Sequence, residues 1–439
     1  MTTPTRPGEQ GSDIPGPFDA RETRDPAERE AAQFAALASL LDRAKQSVPA
    51  YVDTLADIDP AAVTDREGLA ALPLVRKSDL PERQSRHPPF GGMTGTATSA
   101  LARIFASPGP IYDPEAHRTD YWRTARALHA TGIRPGDIVQ NCFSYHFTPA
   151  GSMFETGAHA LGCAVIPAGV GNTELQARAL NDLGPRAYVG TPDFLKTILE
   201  KVDELGLDAS SLTRAHVSGG PLFPALRSFY QGRGVTCLQS YGTADIGLIA
   251  YETLGPDGIN PGLVVDEDVI VEIVRPGTGD PVPAGEVGEL VVTTLNPDYP
   301  LIRFATGDMS AVLDAPSPCG RTNMRIKGWM GRADQTTKVK GLFVHPSQVA
   351  QVQRRHPELA RVRLVVSGGS GPDVMTLKAA LKDAGAQDTA LAGNIAATLQ
   401  SVTNLRGTVE IVPLDALPND GKMIDDARSY GARSDDAGS

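Results

Sequence analysis

Between Gly136 and Gly206 short apolar segments alternate with amphipathic ones, and that alternation limits the possible folds more than any other feature of the chain. GDIVQNCF (Gly136–Phe143), CAVIPA (Cys163–Ala168) and AYVGTP (Ala187–Pro192) read as short apolar strands. Helical patterns lie near Ala150–Leu161, over Thr173–Leu183 and in DFLKTILEKVDELG, and a helix containing Trp122, Ala125 and Leu128 precedes the first strand. Strand, helix, strand, helix requires parallel strands joined by crossover helices, so the fold class is α/β. Near 260–313 the texture changes. VIVEIVRPGTGDPVPAGEVGELVVTTL holds two alternating runs joined by a Gly/Pro turn, which predicts a hairpin and a smaller β-rich lobe. Beyond Arg332–Asp334 the remaining residues, roughly one hundred, read as a compact α+β unit, a common domain size.

At 439 residues the chain exceeds what one hydrophobic core usually supports. Three parts are expected: a disordered arm over 1–25, rich in Pro, Gly and charge; a large domain over 26–333; and a small domain over 334–439. The large domain opens with a helix that puts Phe34, Leu37, Leu40 and Leu41 on one face. Hydrophobic residues at 41% and charged residues at 21% exclude a wholly disordered chain. Lys+Arg 41 against Asp+Glu 52 leaves −11, which argues against nucleic-acid binding but permits a local positive pocket for an anionic cofactor. Cys142, Cys163, Cys237 and Cys319 form no C-x-x-C pair, so a reduced, cytoplasmic setting is expected. The first thirty residues hold no apolar signal-peptide core, and no run reaches the roughly 18–20 apolar residues of a membrane span.

Four segments carry chemistry. SYGTADIG (Ser240–Gly247) follows VTCLQ and falls at the C-terminal end of a strand, the edge where open α/β sheets bind ligands. There Tyr241 offers a ring for stacking, Gly242 close backbone approach, Thr243 a hydroxyl and Asp245 a carboxylate for a metal. The alternative is a plain strand-to-loop turn with a surface acid. TGD (Thr306–Asp308) places an acid that either caps a turn or accepts hydrogen bonds from a ribose diol. GWMGRADQTTKVKGLFVHP (Gly328–Pro346) is a hinge at a domain junction or a Gly-rich turn and hairpin. LPNDGKMIDDAR sets Lys422 in an acidic tail, where a lysine is ordinarily just solvated.

In their order and spacing these segments, with SGGPLFPALR and VIPAGVGNTELQARALNDLGPRAYVGTPDFL, resemble the adenylate-forming superfamily and its phenylacetate–CoA ligase branch, from about Leu40 to Arg428. The resemblance implies a large AMP-binding domain of mixed and parallel sheets flanked by helices, a mobile α+β lid, and ATP, CoA and Mg2+ as reactants and cofactor. An AMP-forming acid–CoA ligase first makes an acyl-adenylate; the lid then swings and the CoA thiol displaces AMP. Matched residue by residue, Tyr241 lies beside adenine and Asp308 binds ribose. Arg332 contacts ribose or phosphate, and Asp334 is the hinge. Lys422 bridges the attacking carboxylate and the α-phosphate, where a positioned cation offsets the repulsion of two anions. Phe143, Tyr145, Gly151 and Ser218–Gly219–Gly220 map near the acyl pocket, or pack the core. A small aromatic or similar carboxylic acid is the expected substrate, and a homodimer is a reasonable assembly.

The chain also departs from the family. Its phosphate loop falls in LARIFASPGPIYDPEAHRTDYW (Leu101–Trp122), which keeps Ser107 and Gly109. Pro108 and Pro110 lack N–H donors, no lysine follows, and Asp113 and Glu115 add negative charge. TGTATS (Thr94–Ser99) is an alternative, displaced cradle. The family's metal-binding Glu is shortened to Asp245, a candidate Mg2+ ligand acting through water. Ser317 stands two residues before Cys319 where some relatives have a zinc-binding thiol, so no zinc is expected. Two other functions therefore stand beside the ligase: a nucleotide- or acyl-CoA-binding protein that adenylates nothing, and acyl transfer from a pre-made adenylate.

Overall fold

The computed structural model describes residues 14–107, 111–220, 222–333, 337–339, 342–368, 373–383, 389–418 and 422–427. The chain divides into two compact units: Met1–Thr306 with Ala311–Gly328, and Gly307–Ser310 with Trp329–Ser439. Gly109, Asp334, Lys340 and Gly341 lie outside the described residues.

In the first unit a helix at Pro26–Ser47 starts where the Asp25 side chain accepts from the N–H groups of Ala27 and Glu28, with Pro26 in the first turn where its missing donor costs nothing. Phe34, Leu37, Leu40 and Leu41 are all buried, as their spacing predicts. Nine strands are needed to place the site. They are β1 (Val75–Arg76), β2 (Leu101–Ser107), β3 (Ile111–Ala116), β4 (Ile138–Asn141), β5 (Ala164–Pro167), β6 (Ala187–Gly190), β7 (Arg214–Val217), β8 (Thr236–Thr243) and β9 (Gly247–Tyr251).

The nine-stranded main sheet runs, from one edge, Val312–Leu313, Arg325–Ile326, Leu263–Val265, β9, β8, β7, β6, β4, β5. Strands β5, β4, β6, β7 and β8 are parallel, and β9 pairs antiparallel with β8. The crossover helices are Ala150–Ala160, Thr173–Leu183, Pro192–Leu205 and Pro224–Gln231, which satisfies the strand–helix alternation of the sequence. β6 and β7 are buried along their whole length, as a parallel sheet covered on both faces requires. The expected hairpin joins Val269–Val274 to Gly288–Thr294 in a four-stranded sheet whose other members are Phe304–Ser310 and β1.

Two expectations are corrected. Residues 14–25 are not an arm: Glu22 is fully buried, accepts from Arg321 Nε at 2.7 Å, Arg126 Nη1 at 3.2 Å and the Tyr251 hydroxyl at 2.7 Å, and so ties the segment to the main sheet. A polar segment can be held firmly when its charges find buried partners, which composition does not reveal. Trp122 precedes its helix, which spans only Ala125–Ala130. SYGT lies at the C-terminal end of its strand, as the sequence predicts. It is the last part of β8, with Ser240 opposite Tyr251 and Tyr241 opposite Ala250 across the antiparallel pair.

The second unit has its own sheet, ordered Thr408–Ile411, Val374–Leu381, Leu359–Ser367, Ile424–Asp426, with helices Pro346–Arg355 and Thr389–Thr403. Val349, Val352, Leu364, Leu377, Ile395 and Leu399 share one buried core. The Gly-rich segment before it yields the hairpin Thr337–Val339 with Leu342–Val344. Among the described residues no helix is long and apolar enough to cross a membrane.

Candidate active site

At the C-terminal ends of β4, β7 and β8 the first unit encloses a cavity of about 190 Å3. Phe143, Ser218, Gly219, Ser240, Gly242 and Thr243 line it from the strand ends, and Met153 and Phe154 from the helix Ala150–Ala160. Phe143 and Phe154 stack with centroids 4.9 Å apart and planes 13° apart, which makes one flat apolar wall. Ser107, at the end of β2, closes another side. Among the described residues that line it, none is charged.

Several hydroxyl groups around this cavity give their protons to the protein. Thr124 Oγ1 donates to Met153 O at 2.7 Å, Ser218 Oγ to Ser240 O at 3.0 Å and Ser107 Oγ to Ile111 O at 3.2 Å. Behind Ser240 lies His216, whose ring is fully buried. Thr131 Oγ1 donates to Ala127 O at 2.9 Å, so it accepts from His216 Nδ1 at 2.8 Å; His216 Nε2, 2.9 Å from Ser240 Oγ, then takes the serine proton. Burial pushes the imidazole down to about 3, so it is neutral near pH 7 and this proton order holds. The cavity therefore offers apolar surface and oxygen lone pairs.

The β8–β9 turn shapes the floor. Gly247 has φ +81°, and a Cβ there would meet the Trp122 ring and carbonyl at 3.0 Å; a Cβ on Gly242 would come within 2.4 Å of Gly247 O. Tyr241 is half-buried against the core, and Thr243 Oγ1 accepts from Ile246 N at 3.2 Å. Tyr145, Gly151 and Gly220, expected at the acyl pocket, do not line the cavity. The Tyr145 hydroxyl instead accepts from Asn141 Nδ2 at 2.8 Å, and Gly151 gives the room that Ser144 O and the Tyr145 ring require. Thr124, Thr148, Met153, Phe154 and His216 were missed. They sit in segments that read as ordinary helix or strand, and only the packing of one crossover helix on the strand ends brings them together.

Asp245 does not stand as a metal ligand. Its side chain has no exposure, it is absent from the cavity lining, and its Oδ2 lies 2.5 Å from Lys77 Nζ, just beyond β1. Asp113, on β3, is fully buried, and neither of its oxygens has a hydrogen-bond partner. Burial first, then the Asp245 charge, raises its carboxyl well above the ordinary range, against the pull of Lys77 and Ser107. Among the described residues no group of three or more His, Cys, Asp or Glu could hold a metal ion. Cys319 lies 3.1 Å from Ser317 Oγ and 3.3 Å from Arg321 Nη1; burial opposes ionisation, but these contacts and Thr253 bring its thiol down to about 7.

β2 and β3 form a hairpin whose last pair is Ser107 with Ile111, so only residues 108–110 connect them. In the second unit Asp308 lies within the strand Phe304–Ser310 rather than at a loop start, and bridges to Arg332. Asp308 Oδ1 accepts from Arg332 Nη1 at 3.3 Å and Trp329 Nε1 at 3.1 Å, so these two predicted residues are neighbours. Lys422 is exposed in the same unit.

A family model described as AMP-binding enzyme matches residues 117–296. A phenylacetate–coenzyme A ligase of Thermus thermophilus is 31% identical over 72% of this chain and 72% of its own length. One from Aromatoleum evansii is 30% identical over 83% of this chain and 84% of its own. Among solved structures, an open conformation of 2-hydroxyisobutyryl-CoA ligase in complex with 2-HIB-AMP and CoA superposes with a TM-score of 0.82 at 24% identity, covering 96% of each chain. An anthranilate CoA ligase bound to anthranoyl-AMP gives 0.52 at 20% identity, over 80% of this chain and 75% of that one.

Proposed function

We propose that this chain, which belongs to the AMP-binding, adenylate-forming enzymes and within them to the phenylacetate–CoA ligase family, joins a single-ring carboxylic acid to CoA, converting ATP to AMP and pyrophosphate. The observation that carries this reading is the uncharged cavity of about 190 Å3 at the strand ends. A dry cavity of roughly 150 Å3 holds benzene, so this half-open pocket has room for one ring with a short acid arm. The stacked Phe143 and Phe154 supply a face for that ring. Because the Thr124, Ser218 and Ser107 hydroxyls spend their protons internally, a ring bearing a hydroxyl or amino donor gains a hydrogen bond there that a bare ring does not.

Each remaining role is carried over from the resemblance of the sequence motifs. Tyr241, Gly242 and Thr243 take the adenine side, Asp308 and Arg332 the ribose and phosphate, and Asp334 the hinge. Lys422 supplies the positive charge that lets a carboxylate approach the α-phosphate; closure excludes water that would hydrolyse the anhydride. Asp245 is given no part in catalysis or metal binding, because Lys77 already neutralises it.

Exchange of labelled pyrophosphate into ATP across a panel of phenylacetate, benzoate, ring-hydroxylated and aliphatic acids is the test. Exchange with one-ring acids and little with long aliphatic ones supports the proposal; no exchange with any acid by folded protein overturns it. The short β2–β3 connection favours a second reading, a binding protein that holds AMP or acyl-CoA without adenylating. Calorimetry that detects AMP or acyl-CoA binding in a preparation without exchange would select it.

A further inference from the structure

Two buried carboxylates and one ammonium meet beneath the acid cavity, and their charge count sets what else can enter. Lys77 follows β1 directly, in the single turn Lys77–Asp79, and its side chain is only 26% exposed. Its Nζ lies 2.5 Å from Asp245 Oδ2, while Asp245 Oδ1 is buried with no hydrogen-bond partner. Asp113 brings a second carboxyl with two unpartnered oxygens, and the Tyr299 hydroxyl is a further buried polar atom without a partner. Ser107 Oγ donates to Ile111 O at 3.2 Å.

A buried carboxylate needs a counter-charge, because leaving it bare in a low-dielectric site is more costly than any hydrogen bond it could forgo. Asp245 has one in the chain itself. The Lys77–Asp245 pair carries no net charge, so Asp245 brings no surplus negative charge to a divalent ion. Asp245 also sits inside the β8–β9 connection, between the cavity residues Ala244 and Gly247, so whatever holds its carboxylate holds the cavity floor.

We infer that the Lys77 ammonium is the resident cation of Asp245 throughout the reaction, pinning the turn that floors the acid cavity, and that divalent metal arrives and leaves on the nucleotide without this carboxylate. Lys77 is thus a positioning residue, acting through Asp245. The inference rests on the proposed use of ATP for its second half; its first half, that the ammonium keeps metal out, stands without ATP.

The experiment titrates Mn2+ by electron paramagnetic resonance into the full chain, alone and with a non-hydrolysable ATP analogue. Wild type and Lys77→Arg are expected to hold no Mn2+ at the cluster in the absence of nucleotide. Lys77→Met exposes two carboxyls without their cation and gains a Mn2+ site at least tenfold tighter than any in wild type, and Lys77→Met with Asp245→Asn loses it again. With nucleotide present, Asp245→Asn changes Mn2+ affinity less than twofold. A tenfold weakening in Asp245→Asn, or no new site in folded Lys77→Met, overturns the inference. If Lys77→Met does not fold, Asp245→Asn against wild type decides. Failure of the ATP-using reading is seen separately, as wild type that binds no nucleotide, and the metal-alone arm still decides the first half.

Discussion

Lowering the pH should weaken the first unit through His216, and the size of the effect can be worked out. The imidazole is fully buried between Thr131 and Ser240, and burial pushes its pKa down to about 3. In the unfolded chain it returns to about 6.5, so below that pH the unfolded state binds a proton that the folded state refuses. Stability therefore falls as pH drops through the window from about 6.5 to about 3. Between pH 7 and pH 5 this one group removes about 2 kcal/mol, since most unfolded molecules carry the proton at pH 5 and few do at pH 7. His216→Gln removes the titration while keeping an amide N–H for Thr131 and an oxygen for Ser240. Urea unfolding followed by Trp122 fluorescence in a Trp329→Phe background reports the first unit alone, because the chain has two tryptophans and Trp122 is the buried one. Buried acids with raised pKa values act in the opposite direction, so the quantity to read is the wild-type minus His216→Gln difference at each pH. It should shift by about 2 kcal/mol against wild type from pH 7 to pH 5, a midpoint change of roughly 0.7 M urea for an m-value near 3 kcal/mol/M. Parallel pH profiles for the two proteins would show that the ring is not held neutral, and the proton order assigned to Ser240 would fall with it.

Lys422→Ala is expected to lower pyrophosphate exchange by about 10²-fold or more, yet leave thioester formation from supplied acyl-adenylate within a few-fold; equal loss in both half-reactions contradicts its role. Gly247→Ala puts a Cβ within 3.0 Å of Trp122 at a φ of +81°, and should cost roughly 1–3 kcal/mol in the same fluorescence assay. Glu22→Gln leaves the Arg321 guanidinium buried without its acid while Arg126 keeps Asp19, a loss of about 3–5 kcal/mol that should appear as rapid proteolysis within residues 14–25 at unchanged cleavage elsewhere. Cutting at the wild-type rate would show that the segment is held by other contacts.

What could be read before any coordinates were known was local or repeated. The helix at Thr173–Leu183, the short strands around it and the hairpin from Val269 follow from periodicity and turn residues, because these depend on neighbours a few positions away. The family, too, was legible, since its motifs keep their order along the chain. Other features depended on partners far apart in sequence. Lys77 and Asp245 are 168 residues apart and meet only because β1 and the β8–β9 turn are brought together by separate sheets. Glu22 finds Arg321 across 299 residues, which turns an arm rich in charge into a buried anchor. Met153, Phe154 and His216 became cavity or support residues only when a crossover helix docked on the strand ends. Sequence pattern records which residues prefer helix, strand or turn. Which charge neutralises which is decided by burial, because a charge taken out of water must find its partner in space, wherever the chain happens to supply it.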